Sequence, residues 1–76
     1  MATEPPTIDA MGLKCPLPVL KMEKALAGLP PGSTLTVLAT DPMAKVDIPL
    51  YCRQNAHAYV LDEADGVLSF LITKPA

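Results

Sequence analysis

Two prolines one residue apart, Pro16 and Pro18 in GLKCPLPVLKMEKALAGL, constrain this chain more than any other feature. Inside a helix, proline loses its N–H and clashes with the carbonyl four residues back. Here those carbonyls belong to Gly12 and Lys14, ahead of the apolar run, so the two prolines mark a helix start at its first and third positions. From there Val19, Met22, Leu26 and Leu29 recur at helical spacing, with Lys21 and Lys24 elsewhere on the wheel. Gly28 and the Pro-Pro-Gly that follows end the helix.

Around this anchor the other elements fall into place. Residues 1–6 are expected to be a flexible lead and residues 7–74 a single domain, whose Thr-Ile-Asp-Ala opening is short enough for a first strand. In STLTVLA, Leu35, Val37 and Ala39 alternate with Thr34 and Thr36, the period of a half-buried strand. The segment TDPMAKVDIPLYCRQN opens on an Asp-Pro signal and restarts at Asp47, where Asp can cap and Pro49 falls in the first turn. It predicts a broken or kinked helix, with Ile48 and Cys52 four apart on one face. HAYVLD and VLSFLITK alternate as strands around EADG, whose Asp-Gly suits a hairpin. The order β-α-β-α-β-β predicts two helices on one face of a four-stranded mixed sheet, with a right-handed first crossover.

Composition narrows the function classes. With 50% hydrophobic and 18% charged residues, the 76-residue chain is a packed globule rather than a disordered tail. A net charge of −2, no basic run and no tryptophan argue against direct nucleic-acid binding. The opening MATEPPT lacks signal-peptide features and no apolar stretch approaches the length of a membrane span, so a cytoplasmic location without membrane attachment is expected. In that compartment two cysteines are expected as free thiols.

Cys15 carries the chemistry. Pro16 pushes it toward the extended angles of an N-cap, which would set its sulfur at the positive end of the helix dipole. With Pro16 and Pro18 lacking donors, the Leu17 amide is the early N–H expected to face the sulfur, and a thiolate is expected there. Lys14 and Lys21 would add positive potential. The alternative is that Cys15 is a small cap and the prolines only fix the loop. A cysteine hydrolase wants a partnered histidine, and the lone His57 is expected as a surface residue at a strand start. One His and two distant Cys make a poor zinc set, so no metal is expected, and no cofactor motif is present. Cys52, beside Tyr51, reads as core packing, with a resolving disulfide to Cys15 as the alternative. A nucleophile with no acid-base partner suits passing a group along more than turnover.

From about Ile8 to Lys74 the sequence resembles the TusA, or SirA-like, family of small sulfur carriers. DAMGLKCPLPVLK is similar to the family's cysteine signature; PPGSTLTVLATDP, DIP, YCRQNAH and DGVLSFLI are similar to later segments in order. The resemblance implies a two-layer α/β (α+β) sandwich with Cys15 exposed at the start of the first helix. It also implies a sulfurtransferase-type relay in which Cys15 accepts sulfane sulfur as a persulfide and hands it to a partner protein. Pro16 and Pro18 would shape its presentation, Asp9 and Gly12 would support the preceding loop, and Asp41 and Pro42 would form a second loop close to the cysteine. The implied partners are a cysteine desulfurase or rhodanese-type donor and a downstream acceptor in tRNA thiolation, molybdenum-cofactor assembly or sulfur oxidation. The free protein is expected to be a monomer. Competing readings are a regulatory docking module that moves no sulfur, and a thiol redox switch through Cys15 and Cys52. The chain departs from the family pattern at Met11, Met43 and Ala56. The two methionines would form an apolar docking rim. Ala56 stands where a glycine usually precedes the histidine, and Asn55 is expected to end the second helix in its place.

Overall fold

The alternation of Thr34–Ala39 becomes an inner strand of a sheet whose one buried face fixes the register of its neighbours. The computed structural model describes residues 6–75, so the expected lead over residues 1–6 lies outside the described residues apart from Pro6. In chain order the elements are β1 (Thr7–Ala10), α1 (Leu17–Ala27), β2 (Thr34–Ala39), α2 (Ala44–Gln54), β3 (Ala58–Ala64) and β4 (Val67–Thr73). The sheet runs β1-β2-β4-β3, with β1 parallel to β2 and the other pairs antiparallel. Leu35 lies opposite Ile72, Val37 opposite Phe70 and Ala39 opposite Leu68. All six are buried on the face that receives Met22 and Leu26 from α1 and Ala44, Ile48 and Cys52 from α2. The result is the expected two helices on a four-stranded mixed sheet. A slip of one residue would turn every one of those strand side chains to water.

The first helix begins later than the sequence predicts. Pro16, not Cys15, is the N-cap residue, which places Pro18 at the second helical position rather than the third. Pro18 is buried there, in line with Met22 and Leu26 at spacings of four, so its ring serves the core. At the other end the Lys74 ammonium donates to the carbonyls of Leu26 (2.8 Å) and Leu29 (2.7 Å). This adds a charged donor to the Leu26 carbonyl, which also accepts from the Leu29 amide (3.1 Å), and sets a cation at the negative end of the dipole.

The second helix corrects the expectation of a break. It is continuous over Ala44–Gln54 with Pro49 inside it. Its start is set upstream, because the Asp41 carboxylate accepts from the Met43 amide (3.1 Å) and the Asp41 carbonyl accepts from the Ala44 amide (2.9 Å). Pro49 then forgoes one bond, to the Lys45 carbonyl four residues back, which lies in the first turn. Asp47 is released from any capping duty.

The end of α2 also differs in detail. Asn55 is the C-cap, and its side-chain amide donates to the Tyr51 carbonyl (2.9 Å), but its own φ is −115°. The left-handed angle falls on Ala56, φ 60°, and the His57 amide closes the turn onto the Cys52 carbonyl (2.8 Å). A left-handed non-glycine residue costs about 1–2 kcal/mol, against about 0.5–1 kcal/mol of extra chain entropy that glycine would lose. Ala56→Gly is therefore expected to stabilise the protein by about 0.5–1 kcal/mol, read as a higher melting temperature; a lower one would contradict this account.

The hairpin is tighter than the expected four-residue loop. Ala64 pairs with Val67, so Glu63 and Ala64 belong to β3, and the turn is Asp65-Gly66 with φ of 53° and 79°. Positive φ at both central residues is the geometry whose twist matches the strands. Among the described residues no helix is long and apolar enough to cross a membrane.

Candidate functional site around Cys15

Because β1 and β2 are parallel neighbours, the loops leaving their carboxyl ends meet. The first loop turns at Asp9, whose carboxylate accepts from the Met11 amide (3.0 Å), and at Gly12, whose φ of 81° needs a residue without Cβ. The Gly12 amide then donates to the Thr40 hydroxyl of the second loop (2.9 Å). Asp41 clasps both loops, one carboxylate oxygen taking the Cys15 amide (2.7 Å) and the other the Met43 amide. These two bonds, aided by the Lys14 charge, hold its carboxyl below the usual aspartate value.

This clasp presents Cys15 as an exposed residue ahead of α1. Its sulfur is not served by the Leu17 amide, which donates instead to the Lys14 carbonyl (2.8 Å). The thiol donates to the Asp47 carboxylate on α2, Sγ to Oδ2 at 2.5 Å. That bond first, then desolvation and the negative charges of Asp47 and Asp41, push the Cys15 thiol above its ordinary pKa. The expected thiolate is thus corrected. The helix begins a residue late and offers the sulfur no amide, while two carboxylates surround it.

The sulfur opens on a cleft of about 240 Å³ lined by Pro16 and Val19 on one side and by Asp47, Leu50, Tyr51 and Gln54 on the other. The last four form one stripe of α2 at helical spacing. None of them was singled out as a site residue from sequence, where Asp47 read as a cap. The signal was present in that 47-50-51-54 periodicity, which is distinct from the buried Ala44-Ile48-Cys52 stripe.

The remaining expected residues take varied positions. Pro16 lines the cleft beside Cys15, whereas Pro18 is buried with Met22 and Leu26 on α1. Lys14 and Pro42 flank a separate hollow between the two loops, together with Gly12, Thr40 and Asp41. Lys21 turns away, donating to the Asp9 carbonyl (2.8 Å) at the outer edge of β1. Met11 and Met43 are 41% and 47% exposed on the two loops, and Leu17 on α1 and Leu50 on α2 are exposed as well. His57 precedes β3, half-buried, with Nδ1 2.8 Å from the Asn55 carbonyl oxygen and its ring edge-on to Tyr51 at 5.7 Å. It is absent from the lining of the cleft. Cys52 is fully buried, and burial pushes its thiol pKa up. Among the described residues no group of three or more His, Cys, Asp or Glu could hold a metal ion.

The family described as Sulfurtransferase TusA matches residues 6–74 of this chain. Two Neisseria meningitidis proteins, from serogroups A and B and both named as candidate sulfur carrier proteins, are each 48% identical to it over 67 residues, covering 87% of this chain and 90% of theirs. The crystal structure of a SirA-like protein from Desulfitobacterium hafniense is 32% identical and superposes with a TM-score of 0.84, covering 93% of this chain and 99% of that one.

Proposed function

The chain belongs to the TusA family, and on that premise we propose that it is a sulfur carrier whose Cys15 accepts sulfane sulfur as a persulfide and hands it to a partner protein. The observation that carries this reading is the exposed Cys15 sulfur in the family's Cys-Pro-Leu-Pro stretch, clasped by its backbone amide and opening on a cleft. A thiol of this kind takes sulfur by attack on a donor persulfide and releases it when an acceptor thiol attacks in turn. Neither step needs a base fixed in this chain, which fits a cleft lining that does not include His57. A cysteine desulfurase or rhodanese-type protein would be the donor and a cytoplasmic thiolation, cofactor-assembly or sulfur-oxidation protein the acceptor.

Loading the reduced protein with a cysteine desulfurase and cysteine tests this directly. The intact mass is expected to rise by one sulfur atom and to fall back on addition of dithiothreitol. No gain from that donor or from a rhodanese with thiosulfate would contradict the proposal. The redox-switch reading is the weaker one, since Cys52 is fully buried with a raised thiol pKa, and both oppose its attack on a Cys15 adduct.

The exposure of Met11 and Met43 supports reading them as an apolar docking rim. Replacing both by arginine, Met11→Arg with Met43→Arg, is expected to raise the KM for the donor roughly tenfold, at about 1.4 kcal/mol for each factor of ten. Unchanged transfer kinetics in the double variant would count against a docking rim there.

A further inference from the structure

We propose that Asp47 restrains the Cys15 thiol in the free protein and thereby selects sulfur donors that carry a lysine or arginine side chain beside their reactive sulfur. The inference rests on the persulfide reading above and names the chemistry of the partner. Its basis is geometric. The Asp47 carboxylate accepts the hydrogen of the sulfur that must become the nucleophile. Asp41 stands on the backbone amide of the same residue.

The charges around the sulfur come from α2 and from the two loops. Asp47 faces it from α2, with the un-ionised Tyr51 phenol one turn on, and Asp41 faces it from the loop between β2 and α2. From the loop before α1, Lys14 acts on Asp41. The contributions of α1 and its cap, Val19 and Pro16, are uncharged, and no side chain lining the cleft is cationic. The free protein therefore keeps a protonated, restrained thiol and lacks the cation that would release it. Such a thiol is protected from adventitious oxidants, which attack thiolates. An incoming cation paired with Asp47 competes with the thiol for the carboxylate and offsets the Asp47 share of the negative field.

The transfer then balances without oxidant or reductant. The Cys15 thiol loses its proton to water, and its thiolate attacks the outer sulfur of the donor persulfide. A new Sγ–S bond forms as the donor S–S bond breaks. The donor departs as a thiolate and takes a proton from water, so a thiol and a persulfide have exchanged places. A donor whose sulfur is flanked by carboxylates would instead meet Asp47 and Asp41 as like charges.

Small disulfides of opposite charge test this without any partner protein. Reduced protein is reacted at neutral pH with cystamine, which carries two ammonium groups, or dithiodiglycolate, which carries two carboxylates. Each rate is normalised to the urea-denatured chain. The wild type is expected to prefer cystamine by about tenfold or more, and Asp47→Asn to lose at least about two thirds of that preference. Asp47→Glu, which keeps the charge, is expected to retain it. With neutral iodoacetamide at pH 7, Asp47→Asn is expected to react roughly three to ten times faster than wild type, with its pH profile shifted to lower pH. An undiminished cystamine preference in Asp47→Asn, or no gain in alkylation, would overturn the inference; circular dichroism establishes that each variant is folded. None of these reactions uses a sulfur donor, so the two readings fail separately. A wild type that prefers cystamine yet takes no persulfide sulfur contradicts the carrier reading. A wild type that takes sulfur while Asp47→Asn keeps the preference contradicts only this inference.

Discussion

Cys15→Ser is expected to carry no sulfur at all while folding like the wild type. The serine hydroxyl is neither ionised near neutral pH nor able to form a stable bond to sulfane sulfur, so the loss is complete rather than partial. Cys52 offers no substitute, because it lies fully buried on the core face of α2. Stability should change little, since the Cys15 side chain is exposed and the clasp to Asp41 uses its backbone amide, which serine retains. Radiolabelled sulfur supplied as cysteine through a desulfurase would count bound label in both proteins. Label retained by the serine variant would place the acceptor elsewhere.

The largest stability effect is expected at Phe70. It sits on the inner strand β4, between Val37 on β2 and Leu61 on β3, with no accessible surface. Phe→Ala in such a setting costs about 3–5 kcal/mol through lost transfer energy and the cavity left behind. A chain of this size holds roughly 4–11 kcal/mol in all, so Phe70→Ala should lower the melting temperature by roughly 15–30 °C or unfold the protein outright. Leu20→Ala, at a position 51% exposed on α1, is the matched control and should change stability by less than about 0.5 kcal/mol. A Phe70→Ala variant that melts within a few degrees of wild type would mean that the sheet and helices are not held by this core.

Much of the fold was legible because its signals are local. The alternation in β2, the spacing in α1 and the Asp-Gly of the hairpin each report a period or a turn geometry, and the register Leu35–Ile72, Val37–Phe70, Ala39–Leu68 follows from them. The misreadings lie at element ends, where competing groups decide the outcome. Asp47 is a sound cap residue by type, but Asp41 reaches the Met43 amide first, and α2 starts three residues before Asp47. Ala56 takes left-handed angles that sequence assigned to Asn55, because the His57 amide closes onto Cys52 and fixes the turn one residue later.

The proposed site was legible at its exposed cysteine and not in its electrostatics. The Cys-Pro-Leu-Pro stretch pointed to Cys15, and the parallel pairing of β1 and β2 brings Asp9, Gly12 and Asp41 to one end of the sheet. A helix start next to a cysteine argues for a thiolate only while nothing negative is nearby. Asp47, 32 residues away in sequence, reverses that sign through a contact no local pattern encodes. The periodic stripe it shares with Leu50, Tyr51 and Gln54 was the one clue to a second wall of the cleft.

The most direct measurement of the central claim is a peptide map by mass spectrometry after incubation with a cysteine desulfurase and cysteine, run on wild type, Cys15→Ser and Cys52→Ser. The account predicts one added sulfur on the peptide containing Cys15 in wild type and Cys52→Ser, and none in Cys15→Ser. Sulfur found on Cys52, or on no peptide with either a desulfurase or a rhodanese as donor, would contradict it.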